Sequence, residues 1–240
     1  MSFNRAYKGK KKKVRLPVLV LAFYSAIIPF DNLLAIGRAG SITRYISLLL
    51  MFLILIESTY LGKFNGLPSV RKVVLFWTGF ILILLLSTTW ALDKLRARQG
   101  LFTIVGLYVL YIMVAVLPIE YLDYQLVKRW TYVGGIISSI MLIVAYMSGL
   151  TLFGGDRATL MLSEQRYADP NYFSASLILP AMLLLGQFLR RNTLPRLLGL
   201  FMILFAIFLS GSRGGVISLL AAILFLVYKR MTNGKKKSIL

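Results

Sequence analysis

Three arginines stand where the chain could hold a phosphate. Arg157 and Arg166 belong to the stretch 151–171, which reads TLFGGDRATLMLSEQRYADPN; Arg213 belongs to the turn Ser210-Gly211-Ser212-Arg213-Gly214-Gly215. A guanidinium is a planar fork of N–H donors that matches phosphate oxygens, so arginines beside charge-poor segments are candidates for that role. Ser210, Ser212 and Gly214 support it, because glycine lets a ligand approach the backbone and serine adds hydroxyl donors. A plainer reading stands beside each. Arg157 and Arg166 are then solvated loop charges paired with Asp156 and Glu164, and Arg213 snorkels to the interface from a tight hairpin. Asp169-Pro170-Asn171 is a turn and helix-start signal, in which either Asp169 or Asn171 can cap the helix that follows.

Other chemistry is excluded by composition. The chain has no Cys and no His. No disulfide can form, no thiolate or imidazole can hold a metal, and no mechanism can draw on either side chain from these residues.

The elements that must position these arginines are apolar. Of the 240 residues, 58% are hydrophobic and 15% charged. Soluble domains carry about 25% charged residues, and a soluble globule of this length could not hide so much apolar surface. Apolar runs lie at 16–30, 45–61, 73–92, 101–117, 131–150, 172–189, 197–210 and 216–228. Only helices or closed barrels satisfy the backbone in lipid, and these runs are continuous rather than alternating, which predicts helices. The fold class expected is an all-α integral membrane protein, a polytopic bundle of about eight transmembrane helices. The first run follows the basic stretch Lys10-Lys11-Lys12-Lys13-Val14-Arg15 without a small-x-small cleavage site, and reads as an uncleaved signal anchor.

The net charge of +20 suggests nucleic acid at first sight, but the basic residues sit in short runs flanking apolar segments. That is the pattern of topology signals and of attraction to anionic lipid headgroups, so no nucleic-acid partner is expected. With the N-terminus in the cytoplasm, 20 Lys and Arg fall on cytoplasmic segments and 8 on outer ones, which favours an N-in/C-in arrangement. The group Lys94, Arg96 and Arg98 fits its outer placement least. Glu57, in the cytoplasmic half of the second run, faces a cavity or a basic partner. Tyr60, Trp90, Trp130 and Tyr228 read as interfacial belt anchors.

The run 197–209 is about 13 residues, roughly 20 Å of helix, against a hydrocarbon core about 30 Å thick. The turn at Ser210 is therefore expected at or below the outer interface, with Arg213 near membrane depth. An arginine there is a functional hypothesis by default.

Four patterns together resemble the O-antigen ligase and O-antigen polymerase superfamily of bacterial envelope glycosyltransferases, in its N-terminal part. They are Gly40-Ser41-Ile42-Thr43-Arg44, then Ser87-Thr88-Thr89-Trp90-Ala91-Leu92-Asp93, then Arg157 through Asp169-Pro170-Asn171-Tyr172-Phe173-Ser174-Ala175, then Ser210-Gly211-Ser212-Arg213-Gly214. The resemblance spans almost the whole chain. It implies residence in the bacterial cytoplasmic membrane and binding of an undecaprenyl diphosphate-linked glycan on its outer face. The glycan would pass to lipid A-core, another repeat unit, or a cell-wall or protein acceptor. No metal, nucleotide sugar or other cofactor is implied, because the lipid diphosphate is already a good leaving group. Arg213, Arg157 and Arg166 would bind the diphosphate and stabilise the charge that develops on departure, with Asp169 and Asn171 supporting the loop.

Such proteins continue into a large outer domain that often carries a His. This chain stops before it, so the general base for the acceptor hydroxyl is not visible. The resemblance divides the chain into a basic cytoplasmic tail (1–15), a five-helix membrane region (16–150), an outer loop (151–171) and the incomplete start of a ligase-like membrane domain (172–240). Two other readings compete. One is a truncated paralogue that partners a complete polymerase, a flippase or other polysaccharide-assembly proteins. The other is a small transporter, which would be expected to show repeats or helices broken at the midplane.

Overall fold

The computed structural model describes residues 14–31, 33–36, 40–61, 67–149, 157–160 and 169–237. The basic tail to Lys13, the Gly154-Gly155 turn and Arg166 lie outside the described residues. Among those described are eight α-helices: α1 (Leu16–Ile27), α2 (Ile42–Leu61), α3 (Leu67–Ser87), α4 (Lys94–Val116), α5 (Tyr121–Met147), α6 (Pro170–Phe188), α7 (Leu194–Leu209) and α8 (Arg213–Lys237). Each overlaps one of the apolar runs. A 3-10 turn at Ile28–Phe30 ends α1, and a two-residue antiparallel pairing of β1 (Ala35–Ile36) with β2 (Gly40–Ser41) precedes α2.

Four of the helices, α2, α4, α5 and α6, are long and apolar enough to cross a membrane, while α1 with its 3-10 extension and α7 are apolar but shorter. The fold class is thus that of a helical membrane protein. The helix starts follow local chemistry. The Asp93 carboxylate accepts from the Arg96 N–H at 3.0 Å and caps α4, and the Asp169 carboxylate accepts from the Asn171 N–H at 2.8 Å and caps α6. Pro170 and Pro195 occupy first-turn positions of α6 and α7, where the missing N–H costs nothing.

The chain divides into two compact units, one of residues 1–20 and 49–124, the other of residues 21–48 and 125–240. In the first unit α3 and α4 pack as an antiparallel pair, tied by a 2.7 Å hydrogen bond between the Thr78 and Tyr108 hydroxyls. Their outer faces expose Phe76, Ile83 and Phe102, each by well over half. Apolar surface on that scale marks contact with lipid or another protein.

Arg15 is the polar anchor of this unit. Its Nη1 donates to Glu57 at 2.8 Å and its Nη2 to Asp123 at 2.9 Å and to the Pro118 carbonyl. Glu57 thus faces a basic partner, one that lies 42 residues away. Burial works against the Arg15 charge, but the hydrogen bonds to Asp123 and Glu57 outweigh it and hold the guanidinium above its ordinary range. The three side chains are only 25%, 16% and 14% exposed, so the pairs are poorly screened. Arg15→Ala is expected to destabilise the fold by about 2–3 kcal/mol, because it strands two carboxylates. Thermal unfolding in detergent should show a lowered midpoint; an unchanged one would mean that the pairs are solvent-compensated.

The second unit has the larger core. Leu142 of α5, Phe173, Leu177, Ala181 and Leu184 of α6, Leu200, Ile203, Ala206 and Ile207 of α7, and Leu219 of α8 are buried together. Glycines set how closely α5 approaches. A Cβ on Gly134 would collide with the Ala26 backbone, and one on Gly135 would lie 2.5 Å from the Pro180 Cβ. Beside them the Thr131 hydroxyl donates to Ser25 at 3.0 Å. Gly134→Val should therefore cost about 1–3 kcal/mol. Gly106→Ala, in α4 where a Cβ meets only open space, should be neutral or slightly stabilising. Equal unfolding midpoints for these two variants would contradict the close packing of α5.

Candidate functional site

The sequence-expected site residues that lie among those described converge on one junction of the second unit. The C-terminus of α7, the N-terminus of α8, the N-terminus of α6 and the irregular segment 157–160 meet there. Gly211 turns the chain between α7 and α8 at φ +59°, a left-handed conformation that glycine adopts without a Cβ penalty. A Cβ here would also lie 2.9 Å from the Arg157 Cγ, so the bare backbone makes room for that side chain.

Arg157 latches the junction. Its Nε donates to the Ser210 carbonyl at 3.3 Å and its Nη2 to the Asn171 Oδ1 at 2.9 Å. The same Asn171 oxygen accepts from the Ser212 hydroxyl at 2.8 Å. The Ser212 oxygen in turn accepts from the Gly215 N–H at 3.0 Å and so caps α8. The Ser210 hydroxyl donates to the Ile207 carbonyl at 2.6 Å and accepts from the Ser212 N–H at 3.3 Å. Both serines are buried. The Ala158 N–H donates to the Leu209 carbonyl at 3.0 Å, satisfying one of the carbonyls left open at the end of α7. Ala158, Thr159 and Leu160 are themselves buried, and the Thr159 hydroxyl is a buried polar group without a hydrogen-bond partner among the described residues.

Arg213 opens α8 with an exposed side chain that has no hydrogen bond or ion pair among the described residues. Gly214 beside it is exposed, with open space where a Cβ would stand, whereas Gly215 packs against the Ser174 hydroxyl. The junction therefore holds one arginine in a hydrogen-bonded latch and presents another outward at a helix N-terminus, where the backbone dipole favours negative charge. Asp169 supports the junction by capping α6, and Asn171 by accepting from both Arg157 and Ser212.

The turn follows a short helix. α7 starts at Leu194 rather than 197, because Pro195 is compatible with its first turn; its 16 residues still reach only about 24 Å, less than a hydrocarbon core. Two of the other sequence patterns have local roles. Ser41 and Thr43 share a 2.6 Å hydrogen bond at the start of α2, and Thr43 also donates to Asp31. In the pattern 87–93, Asp93 caps α4 and Trp90 is exposed. Among the described residues no cluster of acidic side chains could hold a metal.

The architecture and this junction define a helical membrane protein with a cationic site at one end of a helix bundle. No protein-family model, no curated protein and no solved structure matches the chain.

Proposed function

We propose that the chain binds a polyprenyl diphosphate-linked glycan at the outer face of a bacterial cytoplasmic membrane, as the donor-holding part of an O-antigen ligase- or polymerase-like glycosyltransferase. In this reading the eight helices cross the membrane with both termini in the cytoplasm. The observation that carries it is the exposed Arg213, held at the start of α8 by a Ser-Gly-Ser turn whose two serines are buried and which Arg157 and Asn171 brace. A diphosphate is a strong acceptor with several oxygens, and a guanidinium engages two of them at once. In the first turn of α8 the Gly215 N–H is taken by the Ser212 cap, and the Gly214 N–H beside it adds a donor along the helix axis. Arg166, outside the described residues, is a third candidate for the diphosphate on the sequence resemblance alone. As the glycan leaves, negative charge grows on the diphosphate, and donors already fixed in place stabilise it without reorganising. The polyprenyl tail suits a site at membrane depth beside exposed apolar helix faces.

The test is retention of polyprenyl diphosphate by the purified chain in lipid nanodiscs, measured beside the corresponding monophosphate and free alcohol. Selective retention of the diphosphate is the expected result. Equal retention of all three would show that only the tail is recognised and would end this reading.

A further inference from the structure

A second cationic site lies at the far end of the same unit, at the turn between α6 and α7. α6 spans 19 residues from Pro170, about 28 Å, so this turn stands roughly one hydrocarbon thickness from the Arg157–Ser212 junction. The turn carries Arg190 and Arg191, both exposed, and Arg196 follows in the first turn of α7. Its path is set by hydrogen bonds from the Arg190 and Arg191 N–H groups to the Gln187 carbonyl, at 3.2 and 3.0 Å. Arg196 is held back over it, with Nη1 donating to the Arg191 carbonyl at 2.8 Å. From the neighbouring helix α5, Lys128 comes close enough for the charges of Arg190 and Arg196 to act on it. None of the three arginines forms an ion pair among the described residues.

Like charges gathered this way repel one another, and an anion shared among the arginines relieves that repulsion. The surroundings identify the kind of anion. Leu194, Leu197 and Leu198, next to the turn, are each exposed by more than 40%, and further along α7 Phe201 and Phe205 stack at 6.0 Å with Phe201 59% exposed. On α5, Trp130 lies two residues from Lys128 and packs edge-on against Phe23 at 6.5 Å; tryptophan is enriched at headgroup level. A soluble anion would complement the charges and leave this apolar flank bare. A molecule with an anionic head and acyl chains complements both.

We infer that Lys128, Arg190, Arg191 and Arg196 form a headgroup site for one anionic phospholipid, whose acyl chains lie along the exposed apolar face of α7. The site is separate from the diphosphate junction and does not depend on it.

The experiment uses the full chain in phosphatidylcholine nanodiscs containing a minor fraction of phosphatidylglycerol, with retained lipid counted by native mass spectrometry. Wild type should retain phosphatidylglycerol in preference to phosphatidylcholine. A basic residue near an anionic surface is worth about fivefold in affinity, so the triple variant Arg190→Gln, Arg191→Gln, Arg196→Gln should lose about a hundredfold of that preference. Arg213→Ala should keep it, which separates this site from the other. Three results would overturn the inference: no preference in wild type, an undiminished preference in the triple variant, or displacement of the lipid by inorganic phosphate, which would make this a soluble-anion site. Because Arg190 and Arg191 are exposed and Arg196 gives up only one exposed hydrogen bond, the triple variant should unfold close to the wild-type temperature, so that a lost preference reports binding rather than folding.

Discussion

Under the proposed function, replacing Arg213 by alanine should lower affinity for polyprenyl diphosphate by about 10- to 150-fold, the worth of hydrogen bonds to a charged group of about 1.5–3 kcal/mol. The expected result follows from the geometry at the head of α8. Arg213 is exposed and has no partner among the described residues, so its loss removes ligand contacts without unfolding the junction. The Ser212 cap on the Gly215 N–H and the Arg157 latch on Asn171 remain. Arg213→Lys should recover only part of the affinity, since an ammonium is a point charge and lacks the fork that meets two phosphate oxygens. Titration of the diphosphate in nanodiscs, with the unfolding midpoint measured alongside, checks both statements. Wild-type affinity in the alanine variant would reduce Arg213 to an interfacial anchor.

Asn171→Leu disturbs the same site from within, at an expected cost of about 2–4 kcal/mol. The Asn171 oxygen is shared by the Arg157 guanidinium at 2.9 Å and the Ser212 hydroxyl at 2.8 Å. Leucine leaves both donors without that acceptor, and Ser212 is only 1% exposed, so water cannot easily take its place. The head of α8 should loosen. Faster amide exchange at Gly215 and Val216, whose N–H groups donate to the Ser212 side chain and carbonyl, is the specific readout. Asn171→Asp keeps an acceptor at the same position and adds attraction to Arg157, so it should preserve slow exchange. Identical exchange in the leucine variant and wild type would show that Asn171 does not hold the turn. Gly211→Ala should act in the same direction by a different cause, a left-handed residue with a new methyl group against Arg157.

The helices themselves were legible from the chain. Long apolar runs in lipid can satisfy their own backbone only by coiling, so each run became a helix whatever its neighbours. Their starts were legible too where a local signal exists: Asp169-Pro170 heads α6, and the glycine of Ser210-Gly211-Ser212 supplies the turn into α8. These are interactions over two to four residues, which sequence order encodes directly. Boundaries moved where the signal is weaker, as at α3, which ends at Ser87 while the apolar pattern runs on to Leu92.

Partners over long separations were decided by the tertiary structure. Glu57 could have faced a cavity or a cation, and only packing brings it to Arg15, which in turn reaches Asp123 across 108 residues. Arg157 had nearby acidic residues in sequence, but folding sets it on the Ser210 carbonyl and Asn171. The glycines make the same point. Gly106 and Gly134 both sit inside apolar helices, yet a Cβ on one meets open space and on the other strikes the Ala26 backbone. Composition and periodicity report how a segment meets its solvent, because that is a property of the segment alone. Which charge meets which, and which glycine admits a neighbour, depends on how helices approach one another, and that exists only once the chain has packed.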